Sequence, residues 1–140
     1  MSHYDPFAKY YDQVIGDRSE VAELLMRLIR RCTPRARTVL ELGCGSGTML
    51  TELSRRYKTT GMDNSRAMLR LARKKSPSSE LVYGDITDFS LNRRFDAVVC
   101  PFDTINHITS FQLWRKVFEN AHRHLMPGGD RKSTRLNSSH

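Results

Sequence analysis

Thr38-Val-Leu-Glu-Leu-Gly-Cys-Gly-Ser-Gly-Thr-Met-Leu-Thr-Glu-Leu53 decides the fold. A short apolar run, Thr38 to Leu42, enters a cluster of three glycines, Gly43, Gly45 and Gly47, beyond which Met49, Leu50 and Leu53 recur at helical spacing. Such a run, a turn built from residues without a β-carbon and a restarted 3.6-residue period predict strand, glycine turn and helix. The unit then repeats. Tyr57 to Asp63 reads as a second strand, and Ser65 to Arg73 as a second helix capped by Asn64 or Ser65.

Upstream, Val21, Leu24, Leu25, Leu28, Ile29 and Cys32 lie three and four apart, which predicts an amphipathic helix over 17–32. Asp17 and Glu20 give it a capping-box-like start, and Thr33-Pro34 ends it. Downstream, Leu81-Val-Tyr83 reads as a third strand ending at Gly84-Asp85. Phe95 to Cys100 is a nearly continuous apolar run, as expected of a strand covered on both faces. A last helix has Thr109 as its expected cap, Gln112 three residues on, and Leu113, Trp114, Val117, Phe118, Ala121 and Leu125 as its buried stripe. Strands alternating with helices specify an open, doubly wound α/β sheet, mostly parallel, with right-handed crossovers.

At 140 residues, with 39% apolar and 27% charged, the chain has the composition of a globular domain rather than a fibrous or disordered one. No apolar run approaches the roughly 18 residues of a membrane helix, and the first residues lack a basic segment leading into an apolar one. A cytoplasmic location is therefore expected. Cys32, Cys44 and Cys100 form no C-x-x-C pair and no cluster with histidines, so reduced thiols and no metal site are expected.

The last eleven residues, Asp130 to His140, are polar and follow abruptly on Leu125-Met-Pro-Gly-Gly129. They match, residue for residue, the first-frame translation of a common sequencing-library adapter, and 130–140 is read as a non-native tail. The expectation is that the natural protein continues beyond Gly129 and that the sheet is cut after its fourth strand and the helix that follows. Residues 1–129 then form the front part of one domain, with 1–35 as lid and first helix and 36–129 as the α/β core. Without Asp130, Arg131, Lys132 and Arg135 the net charge falls from +8 to +6. The remaining basic residues fall on the polar sides of the expected helices, as solvated faces do.

In an open α/β sheet the ligand lies beyond the carboxyl ends of the strands, which brings Gly43 to Gly47, Asp63, Asp85 and residues 100–107 to one crevice. The glycines let backbone N–H groups approach a ligand closely, and Asp63, twenty residues after Gly43, suits the hydroxyls of a ribose. A dinucleotide fingerprint wants its third glycine at position 48, where this chain has Thr48. A carboxylate at Glu41 also sits badly beside a pyrophosphate and well beside a cation or an amine. Glu41-Leu-Gly-Cys-Gly-Ser-Gly47 resembles the signature loop of class I S-adenosylmethionine-dependent methyltransferases. The resemblance covers nearly all of 4–129 and implies a Rossmann-like fold with S-adenosyl-L-methionine as cofactor.

Residue by residue, Asp63 resembles the family's ribose-binding acid. Gly84-Asp85-Ile86 resembles the segment that holds the adenine, Asp85 toward the exocyclic amine and Ile86 against the ring. The cofactor contacts implied are Tyr11, Glu41, Gly43, Cys44, Gly45, Gly47, Asp63, Asn64, Met68, Asp85, Ile86, Cys100 and Phe102. Tyr4, Tyr10 and Tyr11 are candidates to close over a cationic ligand or simply to pack a lid. Cys44 and Cys100 have no basic neighbour in sequence and read as small packing residues.

Cys100-Pro-Phe-Asp-Thr-Ile-Asn-His107 resembles the acceptor-side segment of small-molecule methyltransferases, including those acting on amino sugars. His107 is the candidate base there, with support of the next helix as its other role; Asp103 is a candidate for orienting an acceptor amine or capping a loop. The N/D-P-P-Y/F motif of members acting on nucleic acid or glutamine is absent at these positions. The sequence thus implies methyl transfer to N or O of a small-molecule acceptor, with no membrane partner. An RNA methyltransferase and an NAD-dependent oxidoreductase are the alternatives, and the chain as given is expected to be inactive.

Overall fold

The computed structural model describes residues 19–100 and 110–127. Among them are four helices and four strands, alternating except that no helix lies between β3 and β4: α1 (Ser19–Cys32), β1 (Thr38–Leu42), α2 (Thr48–Leu53), β2 (Lys58–Asp63), α3 (Arg66–Lys75), β3 (Glu80–Tyr83), β4 (Ala97–Val99) and α4 (Phe111–Arg123). The strands form one parallel sheet in the order β3-β2-β1-β4. The order reverses between β1 and β4, so the crevice expected of an open sheet lies where Leu42 and Val99 end. This is the α/β fold the alternating pattern predicts.

Period-two alternation divides the core. Val39, Ala97 and Val99 face α1 and α2, where Ala22, Leu25, Met26, Ile29, Met49 and Leu53 close over them. Leu40, Leu42 and Met62 face the other way and meet Phe89, Phe95 and Val117, with Ala121 of α4 at the margin. Gly61, paired with Glu41, carries α2 and the glycine turn directly on its backbone. A β-carbon there would stand 2.7 Å from Leu50 Cδ2 and 2.9 Å from Cys44 Cβ.

Several expectations are corrected. The buried face of α1 runs through Ala22, Leu25, Met26 and Ile29, and Leu24 is 42% exposed; the small Ala22 and flexible Met26 complete the i, i+3, i+4, i+7 series better than the branched residues singled out. The second strand begins at Lys58, because Tyr57 N–H closes the end of α2 on Leu53 C=O. The fourth strand is only three residues long. Phe95 and Asp96 leave the ladder, Phe95 to bridge Leu125 and Asp96 to bond the start of β1. The cap of α4 is Ser110, whose hydroxyl accepts from Leu113 N–H at 3.1 Å. Its buried face carries Val117 and Asn120, continued by the buried cap residue His124, whereas Leu113 is exposed and Trp114, Phe118, Ala121 and Leu125 are half-buried. Asp17 and Thr109 lie outside the described residues.

Asp96 clamps the base of the sheet. Its Oδ2 accepts from Arg37 N–H at 2.8 Å, Thr38 N–H at 3.0 Å and the Thr38 hydroxyl at 3.1 Å. Burial alone pushes this carboxyl up, but these donors and the Arg37 charge outweigh it and hold its pKa below the ordinary value. Ionised Asp96 therefore stabilises the fold above the usual carboxylate range, and that contribution disappears as the pH falls through it. Urea unfolding should show Asp96→Ala less stable than the parent at pH 7, with the difference shrinking well below pH ~4. A pH-independent difference would contradict this account.

Candidate functional site

The glycine turn is held by the end of β2. Gly43 and Cys44 N–H groups both donate to Met62 C=O, at 2.7 and 2.9 Å, and Gly47 N–H donates to Cys44 C=O at 3.1 Å. Gly43, Gly45 and Gly47 all have positive φ, at 76°, 55° and 92°, which explains glycine at alternate positions. Gly47 has a second reason: a β-carbon there would lie 2.9 Å from Ala72 Cα. The third glycine thus serves the close packing of α2 on α3.

Asp63, 3% exposed, sits at the centre of the site. Its Oδ2 accepts from Gly45 N–H at 2.9 Å, and its Oδ1 from Ser65 N–H at 2.9 Å. Ser65 caps α3 by accepting from Met68 N–H at 3.1 Å, which settles the cap between the two residues considered. Asn64 is exposed beside Asp63, and Met68 is fully buried in the packing of α3.

Glu41 is 1% exposed at the end of the central strand. Burial first, then the Glu41 and Asp63 charges, push the Cys44 thiol well up. Burial and then Glu41 push Cys100 to about 12. Both thiols are held protonated and unreactive at neutral pH, as small packing residues are. Glu41 and Asp63 therefore form one anionic pole beside the glycine turn in a chain of net charge +8.

Asp85 lies beyond β3, with its side chain exposed and its Oδ1 accepting from Thr87 N–H at 2.9 Å and the Thr87 hydroxyl at 2.7 Å. Ile86 packs half-buried against the core of the α4 face. Tyr83, next to Asp63 in the β2–β3 register, carries the Arg66 guanidinium 4.0 Å above its ring. The structure thus brings Glu41, Gly43, Cys44, Gly45, Gly47 and Asp63 together and sets Asn64, Asp85, Ile86 and Cys100 on the flanking strand ends. Tyr4, Tyr10, Tyr11, Phe102, Asp103 and His107 lie outside the described residues. Among the described residues no His/Cys/Asp/Glu cluster suits a metal ion, and no helix is long and apolar enough to cross a membrane.

Sequence reasoning missed two buried polar residues, Asn120 within α4 and His124 at its C-terminal cap. The signal was present: stepping from Val117 at three and four residues lands on both.

These features are those of a nucleoside-binding α/β domain, and the chain belongs to the methyltransferase domain family, which it matches over residues 39–129. That family uses S-adenosylmethionine. The dTDP-3-amino-3,6-dideoxy-alpha-D-glucopyranose N,N-dimethyltransferase of Streptomyces fradiae is 38% identical over 106 residues, covering 75% of this chain and 42% of that protein. The dTDP-3-amino-3,4,6-trideoxy-alpha-D-glucopyranose N,N-dimethyltransferase of Streptomyces venezuelae is 32% identical, covering 92% and 55%. Among solved structures, S-adenosylmethionine-bound CalS10, an amino pentose methyltransferase from Micromonospora echinaspora, superposes with a TM-score of 0.80 at 30% identity, covering 92% of this chain and 55% of that one. The chain spans about half the length of the curated relatives it matches.

Replacing Asp63 with Asn leaves one acceptor for two N–H groups and turns an amide donor toward the other. Asp63→Asn should cost about 1–3 kcal/mol in urea unfolding and speed hydrogen exchange at Gly45 and Ser65 together. Unchanged exchange at both amides would remove Asp63 from this role.

Proposed function

We propose that this chain carries the cofactor-binding part of an S-adenosylmethionine-dependent N-methyltransferase whose acceptor is a small-molecule amine, with an amino sugar as the acceptor class. The observation that carries the reading is the placing of two buried carboxylates, Glu41 and Asp63, beside a glycine turn whose Gly45 N–H is bonded to Asp63. Buried negative charge favours a ligand with a sulfonium and an ammonium group and penalises a pyrophosphate. The glycines allow the positive φ that turns the chain sharply out of β1 at the strand's carboxyl end, where a nucleoside ligand is proposed to lie.

In this reading the glycine turn and Glu41 receive the amino-acid end, Asp63 and Asn64 the ribose, and Asp85 and Ile86 the adenine. Cys44 and Cys100 line the floor, and Met68 supports it from within the core. The bound cofactor supplies an electrophilic methyl group. The protein's task is to align the acceptor nitrogen with that methyl and to exclude water. Transfer would break the methyl–sulfur bond, with the neutral thioether as leaving group, and would leave the acceptor nitrogen cationic, so that it must then give up a proton to a base or to water. His107 and Asp103 are proposed for the acceptor side, and Tyr11 and Phe102 for closing the site. The amine acceptor is supported by the amino-sugar N-methyltransferases among the relatives and solved structures.

Calorimetric titration with S-adenosylhomocysteine and with NAD tests the ligand class. The expected result is saturable binding of the first at least about tenfold tighter than the second; NAD binding alone would overturn the proposal. For the acceptor, incubating the whole protein with S-adenosylmethionine and a dTDP-linked amino sugar should add one or two methyl groups by mass. Methylation of RNA in place of the sugar would refute that part.

A further inference from the structure

We propose that Asn120, acting through Thr87, is a positioning residue for the nucleobase: it aims the Asp85 carboxylate and so sets the preference of the site for an aminopurine over an oxopurine. The inference rests on the S-adenosylmethionine reading of the same site.

Asp85 is exposed; its C=O accepts from Asp88 N–H at 3.1 Å, and its side-chain Oδ1 is held by the N–H and hydroxyl of Thr87. Thr87 is held in turn. Its C=O accepts from Asn120 Nδ2 at 2.8 Å, and the same nitrogen donates to Lys116 C=O at 2.8 Å. Asn120 is 5% exposed on the buried face of α4, and its Oδ1 accepts from the Arg123 guanidinium. The relay from helix interior to site carboxylate therefore passes through one residue.

His124 pins the far end of the same loop. A backbone carbonyl can only accept, so the 2.6 Å contact of Nδ1 with Asn120 C=O places the ring proton on Nδ1. Nε2 then accepts from Leu91 N–H at 3.1 Å, and the ring lies 4.5 Å from that of Phe89. A helix that only covered the sheet would do so with apolar residues at 120 and 124. Burying polar groups there is costly unless each is bonded, and here the bonds go to the loop that begins at Asp85.

A fixed carboxylate distinguishes the two base types. It accepts from an exocyclic amine, whereas an oxo group at that position presents lone pairs to it. Discrimination of this kind is large when the site group cannot turn away. The test is calorimetric titration of the 140-residue chain with S-adenosylhomocysteine and S-inosylhomocysteine. Asn120→Asp keeps the shape and the acceptor for Arg123 but removes the donor to Thr87. Thr87→Ala removes the hydroxyl and the γ-methyl from a half-buried residue that belongs to neither core cluster, and Thr87→Ser keeps the hydroxyl while dropping the methyl.

The parent is expected to prefer the adenine ligand about tenfold or more. Asn120→Asp and Thr87→Ala should each cut that preference about fivefold by weakening the adenine ligand alone, and Thr87→Ser should keep it. An unchanged preference in both weakened variants, or an equal loss of both ligands, would overturn the inference while leaving the ligand reading intact. Failure of the parent to bind either ligand would overturn the ligand reading and the inference with it.

Discussion

A single buried carboxylate that accepts from two chain segments holds the ligand end of this molecule together. Asp63 bonds Gly45 N–H with one oxygen and Ser65 N–H with the other, both at 2.9 Å. Ser65 caps α3, and the last turn of α3 brings Ala72 against Gly47, two residues beyond Gly45. The circuit from Asp63 through α3 and back to the glycine turn is closed. Hydrogen bonds to an ionised group are worth about 1.5–3 kcal/mol each, so the turn is formed before any ligand arrives. That preorganisation is what a site needs if it is to spend little of its binding energy on ordering loops.

Charge is distributed along the same axis. The carboxyl ends of the strands carry Glu41, Asp63 and Asp85, while Arg37 precedes β1, Lys58 begins β2, Arg30 and Arg31 lie in the last turn of α1, and Arg55 and Arg56 follow the end of α2. A strongly basic chain thus keeps an anionic pole where its ligand is proposed to lie, and a basic surface at the opposite end. Net charge alone points toward an anionic partner; the placement of the buried carboxylates is what favours a cationic ligand.

The fold was legible because its signals are local and redundant. Thr38 to Leu53 contains strand, turn and helix within sixteen residues, and Gly43, Gly45 and Gly47 announce positive φ in a way few other residues do. The family was legible from that same stretch. What escaped was set by distant contacts. Gly61 is free of a side chain because Leu50 and Cys44 occupy its space, and nothing near it in sequence says so. Asp96 looked like a strand residue but is drawn to Arg37 and Thr38, 59 and 58 positions away. Leu113 and Leu24 are apolar yet exposed, while Asn120 and His124 are polar yet buried, because the loop over 85–91 demands donors and an acceptor from α4.

The most direct test of the central claim is nitrogen-15 chemical-shift mapping of the chain during titration with S-adenosylhomocysteine. The largest changes should fall on Gly43 to Gly47, on Asp63 to Ser65 and on Asp85 to Thr87, at the three strand ends proposed to meet at the crevice. Changes concentrated instead around Arg37, Arg56 and Lys58, at the opposite edge of the sheet, would place the ligand elsewhere and contradict it.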